Sequence, residues 1–423
     1  MIFWYKILTY IFYPFAKFYL IFRILKKKEH SSRYKEKLSK IEQPRGNGFL
    51  VWIHVASVGE AMSVLPLIDR YIQESKVEKI LITSITLSSG RILEKKSNTE
   101  KKLIHQFLPL DIDPLAKKFL EHWKPNMCIF IDSEVWPNLI LNIDKKKIPL
   151  FLINARITKK SFDRWKLFLN FSKSIFEKFN LCLVANKETE NYLKVLGAKN
   201  IKNYGNLKFS NIINKQTKKL DNNLLNKIEK RKIWCAASTH PSEEILCVNS
   251  HLQIKKKINN ILTIIIPRHI ERVEKIKNEL KKFNLKIILS SDIDQMDDKT
   301  DILLVNSYGE TLKYFNISKC VFLGKSLVKS LIKDGGQNPI EATRLGCKVF
   351  HGPYVSNFVE TYEYLEKLGV SKKINSFEEL SASLTKELIE EKPKNYDAAK
   401  KIDNYGQDIM NNIIMELKKH INY

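Results

Sequence analysis

The sequence is poor in the residues that break or cross-link a folded chain. Only 14 glycines and 13 prolines occur among 423 residues, which excludes collagen-like and linker-dominated proteins. Intrinsic disorder is also excluded, because 44% of the residues are hydrophobic and are available to bury a core. We therefore expect a globular protein, whose length suits two domains of roughly 100–200 residues each.

Recognisable metal and phosphate-loop motifs are missing. The six cysteines form no CxxC pair and have no histidine at metal-ligand spacing, so we interpret them as reduced core residues of a cytoplasmic protein. They are Cys128, Cys182, Cys235, Cys247, Cys320 and Cys347. Neither GxxxxGK(S/T) nor HExxH occurs. Asp111-Ile112-Asp113 resembles a DxD metal clamp, but Pro114 behind it favours Asp113 as a helix cap. We expect no metal site and no cofactor.

Acidic residues are too few to balance the basic ones. The 72 Lys+Arg exceed the 46 Asp+Glu and give a formal charge of +26. Such an excess predicts anionic partners, whether nucleic acid, phosphorylated substrate or an acidic membrane surface. Nucleic-acid binding is disfavoured, because the basic residues are scattered and lack interleaved aromatic residues outside the N-terminus.

Long apolar runs are absent except at the N-terminus. Residues 2–25 are apolar and aromatic, and three lysines follow at 26–28. This length is near the ~20 residues needed to cross a bilayer, while Lys6, Lys17 and Arg23 favour a helix lying in the membrane interface. A single tilted span with its basic side cytoplasmic remains an alternative, as does a buried helix. The segment lacks the short apolar region and cleavage site of a signal peptide.

The rest of the chain alternates between short apolar runs and amphipathic stretches. FLVWIHVAS, KILITSIT, LIHQFLPL, MCIFID, PLFLIN and LCLVAN predict buried parallel strands, and the stretch VGEAMSVLPLIDRYIQE predicts a helix. A polar stretch near residues 211–231 interrupts this pattern, which restarts with IWCAAS, LTIIIP, KIILS, ILLVN, CVFLG and KVFHG. This βαβ repetition predicts two doubly wound α/β domains. We expect an anchor at 1–28, domains at 29–215 and 216–395, and a helix at 396–423 that packs back.

Charged residues follow several of the predicted strands, where doubly wound domains bind ligands. Glu60 is placed to take a proton from a substrate hydroxyl, but it equally completes a capping box with Ser57. Glu134 follows another strand, and its alternative role is to favour a helix dipole. Arg156 and Lys208 suit a phosphate or carboxylate, although either also suits a solvated surface.

The second half repeats this arrangement. Arg268 at a strand end suits a phosphate or base contact. The pair Gly335-Gly336 is expected to open a helix whose backbone N–H groups face a phosphate, with Glu341 accepting from ribose hydroxyls. Polar clusters follow four predicted strands of this half, at residues 236–244, 267–272, 306–310 and 324–341, and together they predict a nucleotide site.

Nine short motifs occur in order along the chain. They are HVASVGE, SEVWPN, NARI, GNLK, AASTHPSEE, PRHIER, YGE, GGQNPIEA and HGPYVSNF. Together they resemble the motifs of the 3-deoxy-D-manno-octulosonic acid (Kdo) transferases, membrane-associated glycosyltransferases of lipopolysaccharide synthesis. The resemblance implies a GT-B fold with two Rossmann-like domains facing a cleft, CMP-Kdo as donor, the lipid A precursor as acceptor, and inversion. It also implies attachment to the cytoplasmic side of a bacterial inner membrane.

The resemblance also implies roles for individual residues. Glu60 matches the family's proton acceptor, and Glu134 and Lys208 match its transition-state-stabilising positions. The implied CMP contacts are Pro267, Arg268, Tyr308, Gly309, Glu310, Asn338, Pro339, Ile340 and Glu341. The chain departs from the family at Asn306-Ser307, where relatives commonly have DT, and at Gln337, where they have histidine. The alternatives are a GT-B lipid glycosyltransferase using another nucleotide sugar, and a non-enzymatic basic membrane adaptor.

Overall fold

The computed structural model describes residues 1–210, 222–331, 335–390 and 393–420. It divides into two compact units, the first comprising Met1–Asn211 and Tyr405–Tyr423, and the second Ile212–Asn404. Much of the polar stretch that the sequence suggests as a connection, residues 211–221, lies outside the described residues.

A sheet of seven parallel strands organises the first unit. The strands are β1 (Phe49–His54), β2 (Val77–Ser84), β3 (Leu103–Phe107), β4 (Met127–Ile131), β5 (Leu150–Ala155), β6 (Leu181–Val184) and β7 (Ile201–Asn203). Their order is β3-β2-β1-β4-β5-β6-β7, and every pair is parallel. The six apolar runs predicted as strands are β1 to β6. Strand β7 was not predicted, because it is a three-residue edge strand without an apolar run.

Nine α-helices lie among the described residues 1–210 of the first unit. They are α1 (Ile2–Phe12), α2 (Ala16–Leu25), α3 (Val58–Gln73), α4 (Leu87–Ser97), α5 (Asp113–Trp123), α6 (Pro137–Lys145), α7 (Lys159–Lys166), α8 (Leu169–Phe176) and α9 (Lys187–Leu196). The helix predicted after the first strand is α3, and Ser57 is its N-cap.

The second unit repeats the parallel architecture. Its strands are β8 (Lys232–Thr239), β9 (Ile261–Pro267), β10 (Ile287–Leu289), β11 (Ile302–Leu304), β12 (Cys320–Leu323), β13 (Lys348–His351) and β14 (Ser371–Lys373), in the order β10-β11-β9-β8-β12-β13-β14. Its helices are α10 (Asn222–Ile228), α11 (Glu243–Lys255), α12 (Val273–Leu280), α13 (Thr311–Ile317), α14 (Ile340–Arg344), α15 (Val359–Lys367) and α16 (Phe377–Ile389).

The core of the second unit lies on both faces of its sheet. Cys235 and Ala237 of β8 belong to one apolar cluster, whereas Trp234 and Ala236 belong to another. Consecutive side chains of a strand point to opposite faces, so a strand covered on both sides reads as a continuous apolar run. All six cysteines of the chain are buried and unpaired.

The last helix, α17 (Tyr396–Lys418), contributes its residues from Tyr405 onwards to the first unit. Glu416 accepts from Lys202 Nζ at 2.8 Å and from the Tyr204 hydroxyl at 3.0 Å, both at or just after β7. A Cβ at Gly406 would lie 1.8 Å from the carbonyl oxygen of Phe209. Only glycine therefore permits this close approach of the helix to the chain that follows β7.

The N-terminal segment is two helices, α1 and α2, joined by a 3₁₀ turn Tyr13–Phe15 around Pro14. In α1 the Tyr5 hydroxyl donates to Asp111 at 2.8 Å, and Lys6 Nζ lies 3.0 Å from Asp113. The segment is the one described stretch long and apolar enough to cross a membrane, yet it is attached along one side to the first unit.

The DxD-like pair has a structural role. Asp111 accepts from the backbone N–H groups of Asn138 and Leu139 at the start of α6. The prediction that Asp113 caps a helix is wrong: it is the first residue of α5, and no side chain caps that helix. Its carboxylate instead contacts Lys6, Lys117 and Asn142, because the docked N-terminal helix brings a cation to it.

Candidate active site

In each sheet the strand order reverses beside the first strand, β1 or β8. In the first sheet β2 and β3 lie on one side of β1 and β4 to β7 on the other, so the reversal falls between β1 and β4. In the second sheet it falls between β8 and β12. Crevices at the carboxyl ends of such strand pairs are the usual ligand sites of doubly wound sheets.

Glu60 lies at this point of the first sheet, in the first turn of α3. Its carboxylate accepts from the backbone N–H of Ala56 at 2.7 Å and from the Ser57 hydroxyl at 2.8 Å. The Ser57 hydroxyl in turn accepts from the Glu60 N–H at 3.3 Å, so the helix cap is present. Burial, followed by the charge of Asp132, raises the pKa of Glu60 to about 7. The charge of Glu134 adds to this rise.

Glu134 follows β4, the strand next to β1. Its Oε2 lies 3.1 Å from His54 Nε2 and accepts from Trp136 Nε1 at 2.9 Å. The fully buried His54 ring ends β1, and its Nδ1 lies 2.9 Å from the hydroxyl of Thr83 on β2. The position of Glu134 is therefore fixed by side chains from three adjacent strands or the turns that follow them.

Asp132 directly follows β4, and Asn154 lies in β5. Hydrogen bonds of Asn154 connect these two strands to the chain that follows β7. The Asn154 amide donates to Asp132, while its carbonyl accepts from the Leu207 N–H at 2.8 Å. This contact positions the 3₁₀ turn Leu207–Ser210, which carries Lys208. Burial raises the pKa of Asp132, and the nearby charges of Lys208 and Arg156 oppose that rise.

The first unit thus brings together three carboxylates and two cations. They are Glu60, Asp132, Glu134, Arg156 and Lys208. A carboxylate with a pKa near 7 is suited to accept a proton at neutral pH, and fixed charges beside it suit a transition state in which charge develops. Among the described residues, no group of three His, Cys, Asp or Glu side chains is arranged to hold a metal ion.

In the second unit, a buried glutamate occupies the reversal point. The Glu243 carboxylate accepts from the backbone N–H groups of His240, Lys325, Ser326 and Leu327 at 2.7–3.1 Å. Burial raises its pKa, although these four donors oppose the rise. Glu243 therefore holds the loop after β12 against the loop after β8.

The predicted nucleotide residues lie on several loops of the second unit. Pro267 ends β9, and the N–H of the exposed Arg268 donates to the Thr239 carbonyl at 3.0 Å. Tyr308 is 60% exposed, and its hydroxyl donates to Glu271 at 2.9 Å.

The two residues after Tyr308 complete the loop between β11 and α13. Gly309 has φ +82° and open space beyond its Cα. Glu310 accepts from the Ser307 hydroxyl at 2.7 Å and precedes α13.

The prediction for the glycine pair is wrong in its geometry. Helix α14 begins at Ile340, and Pro339 is its N-cap, so Gly335-Gly336 does not open it. The Gly336 N–H instead donates to the Lys325 carbonyl at 2.6 Å, which makes it unavailable to a phosphate. Asn338 accepts from the Ile340 N–H at 3.2 Å, and Glu341 is exposed one residue into the helix.

Sequence reasoning singled out neither His54 nor Glu243 for a role. Both lie inside motifs that were recognised, HVASVGE and AASTHPSEE. A histidine at the end of a buried strand was the available signal for His54. Nothing in the sequence indicates that Glu243 contacts a loop more than 80 residues away.

Comparison with solved structures identifies the class of fold. The UDP-GlcNAc 2-epimerase from Neisseria meningitidis bound to UDP-GlcNAc matches with a TM-score of 0.58 over 88% of this chain and 100% of that chain. At 16% identity this likeness shows the fold alone. The predicted fold class, GT-B type with two doubly wound α/β units, is confirmed.

Comparison with known sequences identifies the family. Residues 31–211 match the profile described as 3-Deoxy-D-manno-octulosonic-acid transferase (kdotransferase). A protein of this name from Rickettsia bellii is 33% identical over 380 residues, 89% of this chain and 88% of that protein. Another protein of this name, from Haemophilus influenzae, is 27% identical over 90% of this chain and 88% of that protein. The chain belongs to the 3-deoxy-D-manno-octulosonic acid transferase family and is a glycosyltransferase. The adaptor alternative therefore no longer holds.

Proposed function

We propose that the protein transfers Kdo from CMP-Kdo to the primary 6′-hydroxyl of the lipid A precursor, with inversion and with Glu60 as general base. The observation that carries this proposal is the buried Glu60 carboxylate, whose pKa is raised to about 7 at the reversal point of the first sheet. A base with this pKa is balanced between proton affinity and availability at neutral pH.

The proposed reaction moves one proton and one sugar. Glu60 removes the hydroxyl proton as the acceptor oxygen attacks the anomeric carbon of Kdo, and the bond from that carbon to the CMP phosphate oxygen breaks. Lys208 stabilises the negative charge that develops, and Glu134 supports the sugar as it gains positive character. Arg268 offers the charge that receives the leaving phosphate. No step of this scheme requires a metal ion.

Family membership supports Kdo transfer as the reaction, and the polar loops of the second unit support a nucleotide donor. Pro267 is the last residue of β9, and Arg268 follows it directly. Tyr308, Gly309 and Glu310 lie after β11. The residues Asn338, Pro339, Ile340 and Glu341 precede or begin α14. We retain them as the proposed CMP contacts, with side chains and loop amides rather than the glycine pair as donors.

Replacing Glu60 with glutamine tests the base. Glu60→Gln keeps the shape of the side chain but removes its basicity, so turnover should fall about 10²–10⁴-fold. The assay combines CMP-Kdo with detergent-dispersed lipid A precursor and resolves products by mass, which also counts the Kdo units added. Glu121→Gln, an exposed glutamate on α5, is the matched control and should retain wild-type turnover. Wild-type turnover by Glu60→Gln would contradict the assignment.

We further propose that the N-terminal segment lies in the interface of an anionic membrane on its cytoplasmic side. Of its residues, only Ala16 and Leu20 are buried, and its large apolar side chains are widely exposed. The contacts of Tyr5 and Lys6 with the first unit support an interfacial helix over a span, because crossing the bilayer would break them. This surface would hold the enzyme beside its lipid acceptor.

A further inference from the structure

A second exposed apolar feature lies outside the N-terminal segment, at the turn between α7 and α8. Leu167 and Phe168 occupy this turn and are 77% and 54% exposed. Contiguous exposed apolar side chains, unlike single scattered ones, can mark a protein or membrane contact. We call residues 159–176, from the start of α7 to the end of α8, the hairpin.

The turn is held in this exposed conformation by buried contacts behind it. The Ser172 hydroxyl is buried and donates to the carbonyls of Trp165 at 2.5 Å and Phe168 at 3.1 Å. The Trp165 ring packs on Phe171 and meets Phe176 edge-on at 5.2 Å. The exposure of the turn is therefore built into the fold.

Basic residues surround the apolar turn. Lys159, Lys160, Arg164 and Lys166 are all exposed along α7, and Asp163 is the one acidic residue of that helix. Asp163 pairs with Lys159 at 3.3 Å. An apolar turn beside a strongly basic helix is complementary to the interface and headgroups of an anionic bilayer.

The hairpin is continuous with the N-terminal segment and with the candidate site. The Phe171 ring lies 5.7 Å from the Tyr5 ring of α1. Helix α7 begins shortly after Arg156, at the carboxyl end of β5, so it starts at the edge of the sheet that carries Glu60. Membrane contact at the hairpin would therefore bring this edge towards the lipid surface.

We propose that the hairpin is a second membrane-contacting element, with Leu167 and Phe168 inserted among the headgroups of an anionic phospholipid bilayer and the bases of α7 lying against them. The proposal rests on the proposed function, in which the acceptor is a membrane lipid. It explains why a loop at the carboxyl edge of the sheet exposes apolar side chains on a rigid support.

The test is sedimentation of the full-length protein with vesicles of phosphatidylglycerol and phosphatidylcholine, or of phosphatidylcholine alone. The apolar variant is Leu167→Ser with Phe168→Ser, matched to Val195→Ser with Met415→Ser at exposed positions of the same unit. The charge variant is Lys160→Glu with Arg164→Glu, matched to Lys256→Glu with Lys257→Glu. Turnover is measured with detergent-dispersed acceptor and with acceptor embedded in the anionic vesicles.

We expect the apolar variant to bind anionic vesicles at least about tenfold more weakly than wild type, because two side chains lose their interfacial burial. The charge variant should bind anionic vesicles at least about tenfold more weakly, since each basic side chain contributes about fivefold in affinity. Its binding to phosphatidylcholine vesicles should be unchanged. Both should keep wild-type turnover in detergent and lose turnover on vesicles, while both controls behave as wild type.

Three outcomes would overturn the inference. Wild-type vesicle binding by both hairpin variants would show that the hairpin does not touch the bilayer. A raised KM for acceptor in detergent, with vesicle binding intact, would make the hairpin a contact for the acceptor itself. A change in self-association without a change in vesicle binding would make it a protein interface. If wild type turned over acceptor in detergent but bound no vesicles, the membrane part of the proposed function would fail separately from its chemistry.

Discussion

At the scale of single residues, Glu60 combines a structural contact with a proposed chemical one. Its carboxylate receives the Ala56 N–H and the Ser57 hydroxyl, and both contacts favour the ionised form. Burial and the neighbouring carboxylates outweigh them and raise the pKa from 4.5 to about 7. Since the folded state holds the proton more tightly than the unfolded state, ionising Glu60 costs on the order of 3 kcal/mol of folding free energy above pH 7.

The pH dependence of kcat/KM reports this pKa. A general base acts only when deprotonated, so log kcat/KM should fall by about one per pH unit as the pH drops below ~7. The measurement is initial rate against pH in detergent at limiting acceptor concentration. Glu60→Gln should lack this acid limb and should be slow throughout. An inflection near 4.5, the ordinary glutamate value, would show that the burial of Glu60 does not govern the reaction.

At the scale of secondary-structure elements, α17 packs closely against the rest of the first unit at Gly406. The Gly406 backbone lies against the Phe209 carbonyl, in the turn that also carries Lys208. The same helix is anchored to β7 by the Glu416 contact with Lys202. The position of Lys208 therefore depends on the packing of a helix that lies some 200 residues further along the chain.

Adding one methyl group at Gly406 tests this packing. Gly406→Ala would place Cβ 1.8 Å from the Phe209 oxygen, so the helix or the turn must move. We expect the free energy of unfolding to fall by about 1–3 kcal/mol and turnover to fall with it. Gly59→Ala is the control for the denaturation midpoint alone, because its Cβ meets nothing closer than 3.9 Å but the residue adjoins Glu60. An unchanged denaturation midpoint for Gly406→Ala would contradict the tight contact.

The N-terminal segment makes a second prediction at this scale. Replacing Phe3, Trp4, Leu8 and Phe18 with serine removes side chains that are 64–70% exposed. Binding to anionic vesicles should fall about 10²-fold or more, because each side chain loses its burial in the interface. The thermal midpoint should be unchanged, since these groups support no core. Ile389→Ser, also exposed, is the control, and unchanged vesicle binding by the quadruple variant would locate the membrane contact elsewhere.

At the scale of the whole molecule, the charge of +26 now has specific candidate partners. Basic residues of the N-terminal segment and of α7 flank exposed apolar side chains, which suits an anionic membrane. Arg156 and Lys208 lie beside carboxylates in the first unit, which suits an acidic substrate instead. Different basic residues are thus suited to the membrane and to an acidic substrate.

Thermal unfolding with nucleotides tests the donor. A ligand bound only by the folded protein stabilises it, by about 2.7 kcal/mol at a hundredfold excess over Kd. CMP should therefore raise the unfolding midpoint more than UDP does at equal concentration. Arg268→Ala should weaken the shift with CMP. An equal or larger shift with UDP would favour a glycosyltransferase of this fold that uses another nucleotide sugar.

Much of the architecture followed from the sequence because burial leaves a local pattern. A strand covered on both faces is a continuous apolar run, and β1 to β6 were recognisable for this reason. The short strands β7 and β14 lack such a run and were missed. The order of the strand-end motifs was also visible, and it carried the resemblance to the family.

The sequence by itself determined the two α/β units, the apolar N-terminal segment and the carboxylates that follow the strands. Only the tertiary structure decided which charges meet. Glu60 and Glu134 come together because β1 pairs with β4, where Val51 lies beside Met127. Asn154 reaches Leu207 because the sheet continues to β7. The distances between these charged side chains, and their burial from water, depend on strand order and packing. No local sequence pattern contains that information. The same reason explains why Gly335-Gly336 does not open α14, and why Asp113 contacts Lys6 instead of capping α5.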